Sequence, residues 1–145
     1  MLSATNGDQP LSFESAEVFK TAPQLSDLPK LTAFVEAILE KADCPLKVCL
    51  QIDVVIDEAF SNIARYSGAS FALVQCFARD GVIALRFSDD GMPYDPLQAP
   101  EPDFSSPAEA RAIGGWGIYM IKKTMDEVTY SYENNQNVLT LIKRY

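Results

Sequence analysis

The sequence predicts an α/β (α+β) chain in two layers, with helices over one face of a mixed, mostly antiparallel sheet. Three observations lead there. Residues 29–42 and 45–66 carry apolar side chains at the helical period. Residues 71–79 and 82–88 read as strands joined by Asp80-Gly81, a strong hairpin signal. Residues 126–133 and 138–144 repeat the hairpin pattern at the end of the chain. With 145 residues and 48% apolar content, the chain fits one domain with one core and is not disordered.

Taken in order, residues 1–10 read as a flexible polar start, and residues 11–145 as the domain. Leu11, Phe13, Val18 and Phe19 alternate in part, so residues 11–21 predict a first strand at a sheet edge. Residues 22–29 hold two prolines with Ser and Asp, a turn or a helix entry. Leu31, Phe34, Val35, Ile38 and Leu39 then mark a helix over 29–42, with Pro29 or Lys30 in its first turn. Pro45 opens a second helix that runs to about Tyr66. Its apolar stripe is Ile52, Val55, Ala59, Ile63 and Tyr66, and Gly68 is suited to a left-handed cap.

In the strand over 71–79, Phe71, Leu73, Gln75 and Phe77 share one face, while Ala72, Val74 and Cys76 share the other. Residues 92–113 follow the second strand and hold five of the nine prolines. A patternless stretch of that length suits a lid over a site, or a surface loop with no task. Gly114-Gly115-Trp116-Gly117 leads into an apolar helical run, Ile118, Met120, Ile121 and Met125. Residues 134–137 are the expected turn of the closing hairpin.

Charge and residue usage exclude several functions. The formal net charge of −8, from 20 acidic and 12 basic residues, argues against a nucleic-acid partner. The absence of histidine removes His-based acid–base catalysis, Ser-His-Asp triads, His-ligated zinc and a phosphoacceptor histidine within this chain. Cys44, Cys49 and Cys76 form no CxxC pair and are odd in number, which suits a reduced cytoplasmic protein. The N-terminus has no signal-peptide pattern, and no apolar run approaches the ~20 residues that span a membrane.

The chemistry centres on Glu58 and Asn62. Four residues apart on one helix, they point off the same face one turn from each other. An amide oxygen can ligate a hard cation, and a carboxylate can take a proton from an attacking nucleophile. The same pair also fits the solvated face of a core helix. Glycines at a helix start let phosphate approach free N–H groups, where the helix dipole favours negative charge, although a hinge would use them too.

Three stretches together resemble the motifs of the GHKL ATP-binding superfamily, in order and spacing. EAFSN, from Glu58 to Asn62, resembles its N box. DDGMPYDP, from Asp89 to Pro96, resembles its G1 box. GGWGIYMIKKTMDEVTY, from Gly114 to Tyr130, resembles its G2 box. MDEVTY followed by NVLTLIK is especially similar to the small bacterial anti-sigma factor serine kinases, which have a histidine kinase-like ATPase domain. The resemblance extends from about Leu11 to Tyr145.

It implies a Bergerat-type fold, with ATP and Mg²⁺ as cofactors and a lid at about 92–113. It implies that Asn62 ligates Mg²⁺ and that Glu58 is the general base or orients the nucleophile. Asp89 would accept from the adenine amino group, and Gly91 would allow close approach to the base. Gly115 and Gly117 would present backbone N–H groups to the phosphates. The function implied is an ATP-dependent serine kinase and anti-sigma factor of a partner-switching system, phosphorylating an anti-anti-sigma (STAS-type) protein. A nucleotide-binding regulator that sequesters its partner without efficient transfer is the alternative. Either implies a homodimer, with residues 11–42 as candidate interface, and a sigma factor as a further partner.

Several positions depart from the family pattern or stay open. Tyr66 stands where relatives often have histidine, and is expected as a core or ligand-edge aromatic. The Thr many members carry in the last motif falls near Asn137 or Val138, so that contact is unassigned. Asp90 reads as an ordinary strand-end charge. Arg65 and Arg111 suit either solvent or phosphate, Lys122 and Lys123 the exposed side of their helix, and Trp116 either the nucleotide or the core.

Overall fold

The computed structural model describes residues 12–98 and 115–145, together with 5–6 and 9–10. Five strands form one sheet: β1 (Glu17–Thr21), β2 (Ala72–Arg79), β3 (Val82–Asp89), β4 (Glu127–Glu133) and β5 (Gln136–Arg144). Their order is β1-β2-β3-β5-β4. Every pairing in it is antiparallel, so the expected mixed sheet is corrected to an antiparallel one. Hairpins link β2 to β3 and β4 to β5 directly, and such short connections can only join antiparallel neighbours.

Among the described residues three α-helices, α1 (Leu28–Lys41), α2 (Leu46–Asn62) and α3 (Gly115–Thr124), accompany the sheet. The apolar stripes of the helices close over one sheet face. Leu31, Val35 and Leu39 of α1, Ile52, Ile56 and Phe60 of α2, and Ile121 of α3 are buried with Val74, Leu85, Phe87 and Leu141 of the sheet. Ala72, Val74 and Cys76 are the side of β2 that faces them, as the alternation predicts. Phe77 lies in a smaller cluster with Phe13, Ala84 and Ile142. The Phe13 and Phe77 rings meet edge-on at 5.3 Å. The guanidinium of Arg86 stacks on Phe13 and that of Arg79 on Phe77, each at 4.3 Å.

The turns follow their chemistry. Asp80 and Gly81 have φ of 53° and 76°, the left-handed pair that a two-residue hairpin of this twist requires. Asn134 and Asn135, at 54° and 61°, do the same for the closing hairpin. That turn is two residues long, not four, and it places Gln136 and Asn137 in β5. The first strand also begins later than expected, at Glu17. Thr5–Asn6 pairs with Gln9–Pro10 in a separate ladder. Residues 99–114, which include most of the expected lid and Arg111, lie outside the described residues.

The second helix does not run as one α-helix to Tyr66. It changes at Asn62 into a π turn, Ile63–Ser67, which ends on Gly68 with φ of 66°. A widened turn delays each later residue by about 100° around the axis relative to the α pattern. Ile63 still packs against the core. Tyr66 leaves the apolar stripe and is 59% exposed, which corrects its expected core placement. The three cysteines are free thiols, and among the described residues no helix is long and apolar enough to cross a membrane.

Candidate functional site

Three segments meet along the end of α2. The first is α2 itself. Glu58 is half-buried there, and burial followed by repulsion from Asp57 raises its carboxyl above the ordinary 4.5, with Arg65 partly opposing the shift. Asn62, the last residue of α2, is also half-buried. Its carboxamide takes no hydrogen bond among the described residues, so its oxygen is available to a ligand.

The second segment is the start of α3. Gly115 is its first residue and Gly117 its third. A β-carbon on Gly117 would collide with Oε2 of Glu58 and stand 3.2 Å from its Cδ. The carboxylate of Glu58 therefore rests against the glycine-lined opening of α3. No side chain at 117 intervenes between that carboxylate and the first turn of α3.

The third segment is the end of β3. Asp89 is 5% exposed. Burial raises its carboxyl above the usual aspartate value, the N–H of Gly91 and the amide of Asn137 pull it back, and the charge of Asp90 adds to the rise. Gly91 permits a close approach within the chain itself. A β-carbon there would collide with the Ser67 carbonyl and lie 2.7 Å from the Ser67 Cβ. The Met92 N–H donates to that carbonyl at 3.0 Å. The glycine thus seats the strand end on the π turn that follows Asn62.

Asp90 is more than a strand-end charge. Its carboxylate accepts from the N–H groups of Ser70 (2.8 Å) and Phe71 (3.1 Å) and from the Ser70 hydroxyl. These bonds, led by the hydroxyl, hold it below the usual carboxylate range. It ties the entry of β2 to the exit of β3.

Glu58 and Gly117 are thus brought together directly, and Gly91 is brought to the turn after Asn62. Asp89 and Asn62 share no hydrogen bond. The hollow of about 330 Å³ lined by Leu97, Lys122, Met125, Asp126 and Val128 contains none of the six expected site residues. Arg65 is exposed, as are Lys122 and Lys123 on the outer side of α3. The Trp116 side chain lies outside the description.

The residue that sequence reasoning left unassigned is Asn137. The register pairs Asp89 with Asn137 directly across β3 and β5. Its amide nitrogen donates to Oδ1 of Asp89 at 3.1 Å and to the Met92 carbonyl at 2.9 Å. Its oxygen accepts from the Tyr94 N–H at 3.0 Å and from the Tyr130 hydroxyl. A two-residue reading of Asn134-Asn135 would have placed Asn137 inside the strand. Only the cross-strand register places it beside Asp89.

Taken singly, a glycine-fringed helix start suits an anion, a carboxamide without a hydrogen bond suits a hard cation, and a buried carboxylate suits a hydrogen-bond donor. The family profile of the histidine kinase-like ATPase domain matches residues 21–143. The chain belongs to this family.

Solved structures share its fold at low sequence identity. The structure of the RsbU and RsbW domains of Rv1364c from Mycobacterium tuberculosis superposes with a TM-score of 0.59 at 14% identity. That match covers 94% of this chain and 33% of the mycobacterial one, so this chain spans about a third of that relative's length. The Acinetobacter baumannii histidine kinase AdeS superposes with a TM-score of 0.50 at 15% identity, over 88% of this chain and 68% of the other. No curated protein matches. The family and the fold make this a kinase-like ATPase domain.

Proposed function

We propose that the protein is an ATP-dependent serine kinase and anti-sigma factor of a partner-switching system, acting on an anti-anti-sigma (STAS-type) protein. The observation that carries this reading is the carboxylate of Glu58 resting on Gly117 at the start of α3. It sets a proton acceptor beside a phosphate-binding helix end. The sequence resemblance to anti-sigma factor serine kinases supports the choice of substrate class.

In this reading Asp89 accepts from the amino group of adenine, and Gly91 lets the strand end close on Ser67 behind it. The N–H groups of Gly115 and Gly117 hold the phosphates. Mg²⁺ fits the residues present in a limited way. Among the described residues no group of three or more His, Cys, Asp or Glu could hold a metal by itself. Asn62 offers one free amide oxygen, which suits an ion that takes most of its ligands from phosphates and water. The ion would supply charge neutralisation on those phosphates.

Glu58 acts on the partner. It orients the serine hydroxyl and takes its proton as the serine oxygen bonds to the γ-phosphorus. The bond from that phosphorus to the bridging oxygen breaks, and ADP leaves with the electron pair. A carboxyl raised by burial is better matched to this task than a solvated one. The phosphate then adds negative charge to the partner and weakens its hold. The protein is placed in the cytoplasm, as a homodimer built through residues 11–42. β1 pairs only with β2 among the described strands, and Val18 on it is 52% exposed.

Incubation with labelled ATP and a STAS-type partner should label the partner, and Glu58→Ala should abolish the label. Equal labelling by the variant would remove Glu58 from the chemistry. Calorimetry with ATP and Mg²⁺ should show loss of binding for Asp89→Ala and a metal-dependent loss for Asn62→Ala. Tight ATP binding with no transfer to any partner would instead favour a sequestering regulator. Light scattering tests the dimer.

A further inference from the structure

Asn137 uses its whole carboxamide. The oxygen accepts from the Tyr94 N–H and the Tyr130 hydroxyl. The nitrogen faces the carbonyls of Met92 (2.9 Å) and Gly91 (3.4 Å) and Oδ1 of Asp89 (3.1 Å). A backbone N–H only donates and a backbone carbonyl only accepts, so these partners fix which way the amide points. Its nitrogen must face Asp89, and Oδ1 of Asp89 must accept. The Gly91 N–H ends on the same oxygen at 2.9 Å. Both donors fall on Oδ1, and Oδ2 accepts no hydrogen bond among the described residues.

We infer that Asn137 is a specificity-determining positioning residue, which holds Asp89 as an acceptor with Oδ2 left for the base and so selects purines bearing an exocyclic amine over those bearing a carbonyl there. The inference rests on the proposed reading that Asp89 meets the nucleotide base. An amine donates to a free carboxylate oxygen. A carbonyl would set lone pairs against lone pairs, unless Asp89 were protonated and could itself donate. The charge on Asp89 is therefore the selector.

The groups acting on that charge are few. Burial and Asp90 disfavour it, while Gly91 and Asn137 favour it. Tyr130, whose hydroxyl holds Asn137, lies within the influence of both Asp89 and Asp95. Removing the Asn137 donor leaves burial less opposed. Asp89 then stays protonated to higher pH, which weakens an amine-bearing base and helps a carbonyl-bearing one.

The test is calorimetry on the full chain with ATP and with inosine triphosphate, from about pH 5 to pH 8 around the carboxyl range. The wild type should prefer ATP. Asn137→Ala should bind ATP about tenfold more weakly, the cost of one hydrogen bond to a charged group. It should also compress the ratio of ATP to inosine triphosphate affinity and move the half-loss of ATP binding to higher pH. Tyr130→Phe should move that half-loss the same way by less, and it serves where Asn137→Ala does not fold. An equal loss of both nucleotides with an unmoved pH profile would mark Asn137 as merely structural and overturn the inference. A wild type that binds both equally would also overturn it and leave nucleotide binding standing. A wild type that binds neither would overturn the pocket itself.

Discussion

The space a side chain would take at Gly117 is filled by the carboxylate of Glu58. An alanine there gains about 1 kcal/mol of helix propensity over glycine. Its methyl group would meet the far end of a flexible side chain, which can swing away. Gly117→Ala should therefore keep or raise the melting temperature and lower phosphoryl transfer at least tenfold. A melt and a transfer assay on the same sample check both halves. Glu58 carries the complementary prediction. Its raised carboxyl means that the charged form costs stability in the fold. That cost is absent below the unfolded value and develops as pH rises through the folded one. Glu58→Gln should melt higher than wild type at pH 7, lose that advantage in acid, and transfer no phosphate. In the wild type, transfer should rise with pH along a limb lying above 4.5, where Glu58 becomes a base.

Elements meet through their ends here. The π turn after α2, the exit of β3 and the start of the following loop are joined by the Ser67 carbonyl, which accepts from Met92 and crowds Gly91. Within the turn, the Ser67 hydroxyl donates to the Ile63 carbonyl at 2.7 Å and accepts from the Ala69 N–H at 3.0 Å. A methyl group at position 91 would strike backbone, which has no easy way to yield. Gly91→Ala should cost about 1–3 kcal/mol, the range for overpacking, and should weaken ATP through Asp89 beside it. Denaturant melts and calorimetry measure the two effects. A neutral Gly91→Ala would mean that the strand end and the π turn can separate freely.

For the whole molecule, one apolar layer between helices and sheet fixes where the polar groups stand. Phe60 lies at the centre of that layer, fully buried, between Glu58 and Asn62 in sequence and pointing away from both. Phe60→Ala should destabilise the fold by about 3–5 kcal/mol in chemical denaturation. It should also weaken nucleotide binding without touching the site, because α2 would lose its seat on the shared core. Unchanged stability would show that the layer collapses around the missing ring.

The sequence by itself determined the local features of this protein. Apolar spacing marked α1 and α2, Asp80-Gly81 marked a hairpin, and the glycines before Ile118 marked the start of α3, because each depends on neighbours in the chain. Motif order gave the family before any contact was known. Only the tertiary structure decided the all-antiparallel strand order, the crowding of Gly91 by Ser67 and the seat of Glu58 on Gly117. It also set Asn137 across from Asp89 and turned Tyr66 out through the π turn. Those outcomes depend on register and on packing between segments far apart in the chain. A one-residue change of register or phase reverses which side chains meet, yet leaves composition and spacing almost untouched.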